Sequence, residues 1–172
     1  LAKLTPFHEV TYGNTGLRAE LQGQAYYQPK SSDRFVFAIR GYFGTLIGVP
    51  LAQSPGDYLF FSGGGDSVRG YGYQSRGVTT GGVFSGGRST FNASAELRMK
   101  LNDKFGLVAF ADAGAIGRGS VPDFGGSLFM GAGIGVRYQT PVGPLRLDLA
   151  RGLNRVAGDP PFAIYLGLGQ SF

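Results

Sequence analysis

No cysteine and no tryptophan occur in the 172 residues, and His8 is the only histidine. The missing cysteine is compatible with an oxidising periplasm or cell surface. With one imidazole and no thiol, no nucleophile, base and orienting group fall at catalytic spacing. The sequence therefore points away from an enzyme and implies no metal or cofactor. Long hydrophobic runs are missing too: no apolar stretch approaches the ~20 residues that a spanning helix needs. Net charge is only +5. Taken alone, it would suit nucleic acid or anionic lipid. The arginines, however, are spread along alternating segments instead of forming one patch, which argues against nucleic acid. A leading methionine and a signal-like segment are also absent, so a mature portion or a fragment is expected.

What the chain has is glycine and aromatics: 31 Gly, 14 Phe and 9 Tyr. With a short-period pattern, they point to strands and turns. The period is two almost everywhere, which sends successive side chains to opposite faces. Leu17, Ala19, Leu21, Gly23, Ala25 and Tyr27 share one face, against Arg18, Glu20, Gln22, Gln24, Tyr26 and Gln28. Phe91 to Leu101 repeats the pattern. In the last segment Phe162, Ile164, Leu166, Leu168 and Phe172 share one parity, and Ala163, Tyr165, Gly167, Gly169 and Ser171 the other.

Eight strands are predicted, near residues 4–12, 16–28, 34–46, 90–101, 105–117, 127–140, 143–153 and 162–172. Most reach the ten or so residues of a tilted membrane-spanning strand. Short turns fall at Pro29–Asp33, Asn102–Lys104 and Pro141–Pro144, and long links at 47–89, 118–126 and 154–161. Gly13–Gly16 is short but falls on the side of the long links. Outer-membrane barrels have short periplasmic turns and longer external loops. Tyr27, Phe35, Phe43, Phe105, Tyr138, Phe162 and Phe172 sit near strand ends on apolar parity, where interfacial girdles belong. The predicted fold is all-β, an antiparallel transmembrane β-barrel.

The 47–89 link contains Phe60-Phe61-Ser62-Gly63-Gly64-Gly65-Asp66-Ser67-Val68-Arg69-Gly70-Tyr71. Glycines here permit close approach and unusual backbone angles. One reading is a flexible surface loop. The aromatics and Val68 favour docking, and no Gly-Lys-Ser/Thr ending marks a phosphate loop. If the loop enters the lumen, Arg69 needs acceptors, and Glu96 and Asp112 lie on neighbouring strands. Pairing Leu101 with Phe105 turns both acids inward and makes them diagonal neighbours, about 7–8 Å apart. One planar guanidinium then reaches both. The alternative is that both acids line a hydrated lumen beside Arg98 and Arg146.

Val68-Arg69-Gly70-Tyr71 resembles the loop-six signature of the BamA/TamA outer-membrane superfamily. Phe110-x-Asp112-x-Gly114 resembles the inner-barrel motif that receives its arginine. Gly131–Val136, Pro141–Asp148 and Ile164–Gly169 resemble the last three strands, and residues 34–172 carry the likeness. Within the superfamily, the TamA branch, barrel subunit of the translocation and assembly module, is the nearest resemblance.

The resemblance implies that Gly64, Gly65, Val68, Arg69, Gly70 and Tyr71 form the loop motif. It also implies that Arg69 pairs with Glu96 and Asp112 inside the barrel, and that the chain lies in the bacterial outer membrane. It implies a sixteen-stranded barrel behind POTRA domains, of which this chain carries the second half and no POTRA pattern. The implied partners are membrane lipid, client outer-membrane proteins and, through the POTRA domains, a periplasm-spanning TamB-type protein. The last strand, from Phe162 through Ile164, Leu166, Gly167, Leu168 and Gly169 to Phe172, is implied to be a lateral gate that aids insertion or translocation of clients. A protein-translocating pore and a passive porin or receptor are the alternatives on the same scaffold. A closed eight-strand barrel is too narrow for a loop of about forty residues. A missing half or a second copy must therefore complete the enclosure, unless the loop is displaced.

Overall fold

The computed structural model describes residues 1–172. The strands are β1 (Ala2–Glu9), β2 (Asn14–Tyr27), β3 (Phe35–Ile47), β4 (Val78–Thr80), β5 (Val83–Ser85), β6 (Ser89–Lys100), β7 (Phe105–Gly117), β8 (Phe129–Thr140), β9 (Gly143–Gly152) and β10 (Ala163–Leu168). Eight of them form one antiparallel sheet in chain order, and β4 and β5 pair separately as a small hairpin. The sheet is open, with β1 and β10 as its edges. No helix is long and apolar enough to cross a membrane.

Local chemistry sets the turns on the short-turn rim. Asn102 Oδ1 accepts the amides of Lys104 and Phe105, each at 2.9 Å, which closes the β6–β7 turn. In the same turn, a hydrogen bond from Lys100 Nζ holds the Asp103 carboxyl below its ordinary pKa. Pro141 and Val142 alone join β8 to β9, and Gly143 takes a φ of 118°. The β6–β7 pairing sets Ser94 opposite Asp112 and Glu96 opposite Phe110, the register that turns both acids inward.

Burial is inverted relative to a water-soluble domain. Arg69, Glu96, Asp112, Arg137 and Asp148 are buried, while Leu107, Ile134, Val136, Leu145, Leu147 and Leu149 are exposed. Charged side chains are almost never buried unless paired, and a wide apolar exterior requires an apolar solvent. The outer face is therefore the lipid face, and the inner face holds the polar centre. Phe105–Tyr138 and Tyr27–Phe37 pair on the outer face beside the short turns, as girdle aromatics do.

The link between β3 and β6, residues 48–88, docks on the inner face through residues 60–78, while residues 79–84 are exposed. From β3, Arg40 Nη2 donates to the Asp66 carbonyl at 2.8 Å; from β9, Arg146 Nη2 lies 3.5 Å from Asp66 Oδ1. In a flat sheet those strands would stand roughly 19 Å apart, so the sheet curls around the loop. Two short 3₁₀ turns, Leu51–Gln53 and Gly56–Tyr58, and the β4–β5 hairpin give the loop internal structure that periodicity did not reveal.

The last strand differs from expectation. β10 spans only Ala163–Leu168, so Phe162, Gly169 and Phe172 lie outside it. Ile164, Leu166 and Leu168 face outward as parity predicted. At Gly169, φ is 92°, and the alternation stops. Residues 169–172 turn inward, and the Phe172 ring lies on the inner face, 5.1 Å from the Arg40 guanidinium carbon, rather than in an outer girdle. Gly167 stays in the ladder opposite Arg146, so the kink falls two residues later.

Candidate functional site

The loop presents Arg69 through a tight turn. The amide of Ser67 donates to the Gly64 carbonyl and that of Gly64 to the Val68 carbonyl, with Gly64 at a φ of 109°. Gly65 sits against the Tyr165 ring. Val68 and Tyr71 flank the arginine and are fully buried, in a cluster with Val78, Ile116 and Phe129. The Tyr71 hydroxyl lies 2.7 Å from the Met130 carbonyl and 3.0 Å from Asn154 Oδ1 and donates to one at a time. These apolar and polar anchors seat the loop before any charge is counted.

Arg69 reaches three strands. Its Nε and Nη2 donate to the two oxygens of Asp112 on β7 at 2.7 and 2.9 Å, a fork-to-fork pair, and its own amide donates to Asp112 Oδ2 at 3.0 Å. Nη1 donates to Glu96 Oε1 on β6 at 2.8 Å and lies 3.3 Å from Asp148 Oδ2 on β9. The Phe110 ring lies under the guanidinium, 3.5 Å from its carbon. Only 2% of the Arg69 side chain is exposed, and none of the three carboxylates is.

Buried ions persist when paired and hydrogen-bonded. Here the second oxygen of each remaining acid is also used. Glu96 Oε2 accepts from Arg98 Nε at 2.8 Å, and Asp148 Oδ1 from Arg137 Nη1 at 2.5 Å. Arg69, Arg98 and Arg137 thus pair directly with Glu96, Asp112 and Asp148, and Arg40 on β3 adds its charge nearby.

Missing side chains make this approach possible. A Cβ on Gly131 would lie 1.9 Å from the Arg69 carbonyl oxygen, and one on Gly70, where φ is 99°, would lie 2.4 Å from the Arg151 carbonyl carbon. Loop and wall therefore meet backbone to backbone at these two positions. Gly114 serves the same end: a Cβ there would strike the Phe129 ring and Asn92.

The structure brings Arg69, Glu96, Asp112 and Phe110 together, and it adds groups that parity alone did not single out. Asp148 is a third acceptor. Its signal was present, because apolar Leu145, Leu147 and Leu149 send Arg146 and Asp148 inward. Tyr165 on β10 is another: its hydroxyl accepts the Gly70 amide at 2.9 Å and donates to the Tyr71 carbonyl at 2.8 Å. Ser171 donates to Glu96 Oε1 at 2.8 Å. Tyr165→Phe leaves a loop amide and a carbonyl unpaired. A loss of about 1 kcal/mol is expected, the low end for a half-buried group. Faster hydrogen exchange at the Gly70 amide would register it.

The arrangement is a clamp that ties the loop to β6, β7 and β9. The profile of the Omp85 superfamily domain matches residues 3–172. This chain belongs to the Omp85 superfamily. Among solved structures, BamA from Haemophilus ducreyi lacking POTRA domains 1–3 superposes with a TM-score of 0.71 at 24% identity, over 88% of this chain. That match takes in 35% of the BamA chain, so the present chain spans about a third of it. The likeness carries the fold: an Omp85 sheet that in BamA belongs to a longer protein. Members of the Omp85 superfamily are assembly and transport proteins of the outer membrane.

Proposed function

We propose that this chain supplies the second half of a TamA-type barrel in the bacterial outer membrane, one that helps insert or translocate client β-barrel or autotransporter proteins. One observation supports the reading above others: the clamped loop is hydrogen-bonded through Tyr165 to a short edge strand. An unpaired edge exposes a row of N–H and C=O groups that templates another strand. In hydrocarbon, a strand without such partners is strongly disfavoured. A client segment that pairs beside β10 would avoid that penalty, and no catalytic residue is needed. The partners in this reading are lipid, client barrels and a TamB-type periplasmic protein recruited by POTRA domains.

The test is a reconstitution of the full-length protein in vesicles. Client barrel insertion, followed by protease protection, should run faster than in empty vesicles. Unchanged insertion with a verified fold would sink the proposal. A translocating pore is the second reading, favoured by residues 60–78 docking on the inner face. It predicts channel conductance on loop displacement without faster insertion.

A further inference from the structure

We propose that the inner face, at the short-turn rim, carries a phosphate-binding site built on Arg137 and floored by Gly106. Arg137 is buried, and only one of its guanidinium nitrogens is matched: Nη1 donates to Asp148 Oδ1 at 2.5 Å and to the Val136 carbonyl at 3.1 Å. Nε and Nη2 are buried with no acceptor. These two nitrogens form one edge of the guanidinium, the edge by which Arg69 grips both oxygens of Asp112. Buried donors without an acceptor are costly, and this edge fits two oxygens of a single anion.

Arg137 lines an open cavity of about 420 Å³ together with Arg34, Arg98 and Lys100, against Asp33 and Asp103. Strand register explains the cluster. Lys100 on β6 stands opposite Gly106 on β7, and Gly106 opposite Arg137 on β8. Arg34 joins the same row, its carbonyl accepting the Lys100 amide at 2.8 Å. Lys100 and Arg137 thus rise from backbones roughly 10 Å apart, with no side chain between them. Crowding does not demand the glycine. A Cβ on Gly106 would meet the Met99 carbonyl oxygen at 3.2 Å and Arg137 Cβ at 3.8 Å. Gly106 instead leaves an open floor between two cations.

The counter-charges leave that floor accessible. Lys100 pairs with Asp103 at 2.7 Å, but both side chains are more than half exposed, which weakens the pair. Glu96 and Asp148, which pair with Arg98 and Arg137, lie outside the lining. Nε and Nη2 are closed to water, so an anion meets them by a turn of the guanidinium into the cavity. A carboxylate would be used up by that fork alone. A phosphate group keeps further oxygens for Lys100 and Arg34 across the gap. Met99, Phe105 and Leu107, of outward parity, carry the lining round the rim toward the lipid face. A headgroup phosphate can therefore arrive from the bilayer, and a free phosphate from the water. Neither source needs a client, so the inference stands apart from the insertion reading.

The test is isothermal titration of the full-length protein in non-ionic detergent and phosphate-free buffer. One arm uses inorganic phosphate, the other dihexanoyl phosphatidylglycerol below its micellar concentration. Gly106→Leu fills the floor without altering a charge, and Arg34→Gln with Lys100→Gln removes the far cations. Each should weaken binding at least about tenfold, as expected for lost hydrogen bonds to a charged group. Arg137→Lys keeps a charge for Asp148 but loses the fork, and should weaken binding similarly; should it fail to fold, Gly106→Leu decides. Binding of the lipid alone retains the site and identifies a headgroup, and binding of inorganic phosphate retains it for a free anion. Binding of neither probe, or binding that the Gly106 and Arg34–Lys100 variants leave unchanged, would overturn the proposal. Acetate bound as tightly as phosphate would also overturn it.

Discussion

Arg69→Ala should release residues 48–88 from the inner face and destabilise the folded protein by about 3–5 kcal/mol, the range for a buried pair broken on one side. The variant leaves Glu96 paired with Arg98 and Asp148 with Arg137, and Asp112 without a directly bonded cation. Asp112 suffers most, since its bonds to the loop all come from Arg69: Nε, Nη2 and the amide. The amide bond survives the substitution only if the loop stays seated. Water entering the lumen will lower the cost by solvating the stranded carboxylate. Limited proteolysis should show new cleavage within 48–88, and the urea midpoint should fall. Arg69→Lys should rescue poorly, because a single ammonium cannot span both Asp112 oxygens while reaching Glu96.

Gly131→Val should have the next largest effect, by a different route. Its Cβ would fall 1.9 Å from the Arg69 carbonyl oxygen, with backbone on both sides of the clash. The loop must then withdraw by more than about 1 Å to reach ordinary contact. Hydrogen bonds of 2.7–3.0 Å between Arg69 and Asp112 lengthen out of their effective range. Overpacking of this kind costs about 1–3 kcal/mol. No charge is altered, so a protease-sensitive loop here would show that close approach, as well as ion pairing, seats Arg69. Ala111→Val on the outer face, in the register row next to Asp112, is the control and should leave the loop protected.

Much of this was legible in the sequence because strand parity is a binary variable. Once Leu101 faces Phe105, the positions of Glu96 and Asp112 follow without further information. The same rule applied to β9 also turns Asp148 inward, but the expected acceptors are Glu96 and Asp112 alone, since nothing in the alternation ranks Asp148 above other inward polar residues. Its role depends on the sheet curling far enough to bring β9 to a loop seated on β6 and β7. Curvature comes from accumulated twist and from the loop itself, and neither has a local signature. The tail is the clearest departure. Phe172 has the parity of Leu168, so alternation predicts an outward ring; one left-handed glycine, Gly169, reverses it. Glycine permits that angle without demanding it. The β4–β5 hairpin escaped notice because three-residue strands are too short to show a period.

Arg69 and Asp112 hold the loop as a mutually paired unit. The most direct measurement is a double-mutant cycle of Arg69→Ala and Asp112→Asn, with unfolding free energy and loop proteolysis as readouts. Either change alone unbalances the buried charges; together they leave Glu96 with Arg98 and Asp148 with Arg137. The double variant should therefore be more stable than the sum of the single losses predicts, by more than about 1 kcal/mol of coupling. Strictly additive losses would contradict the clamp.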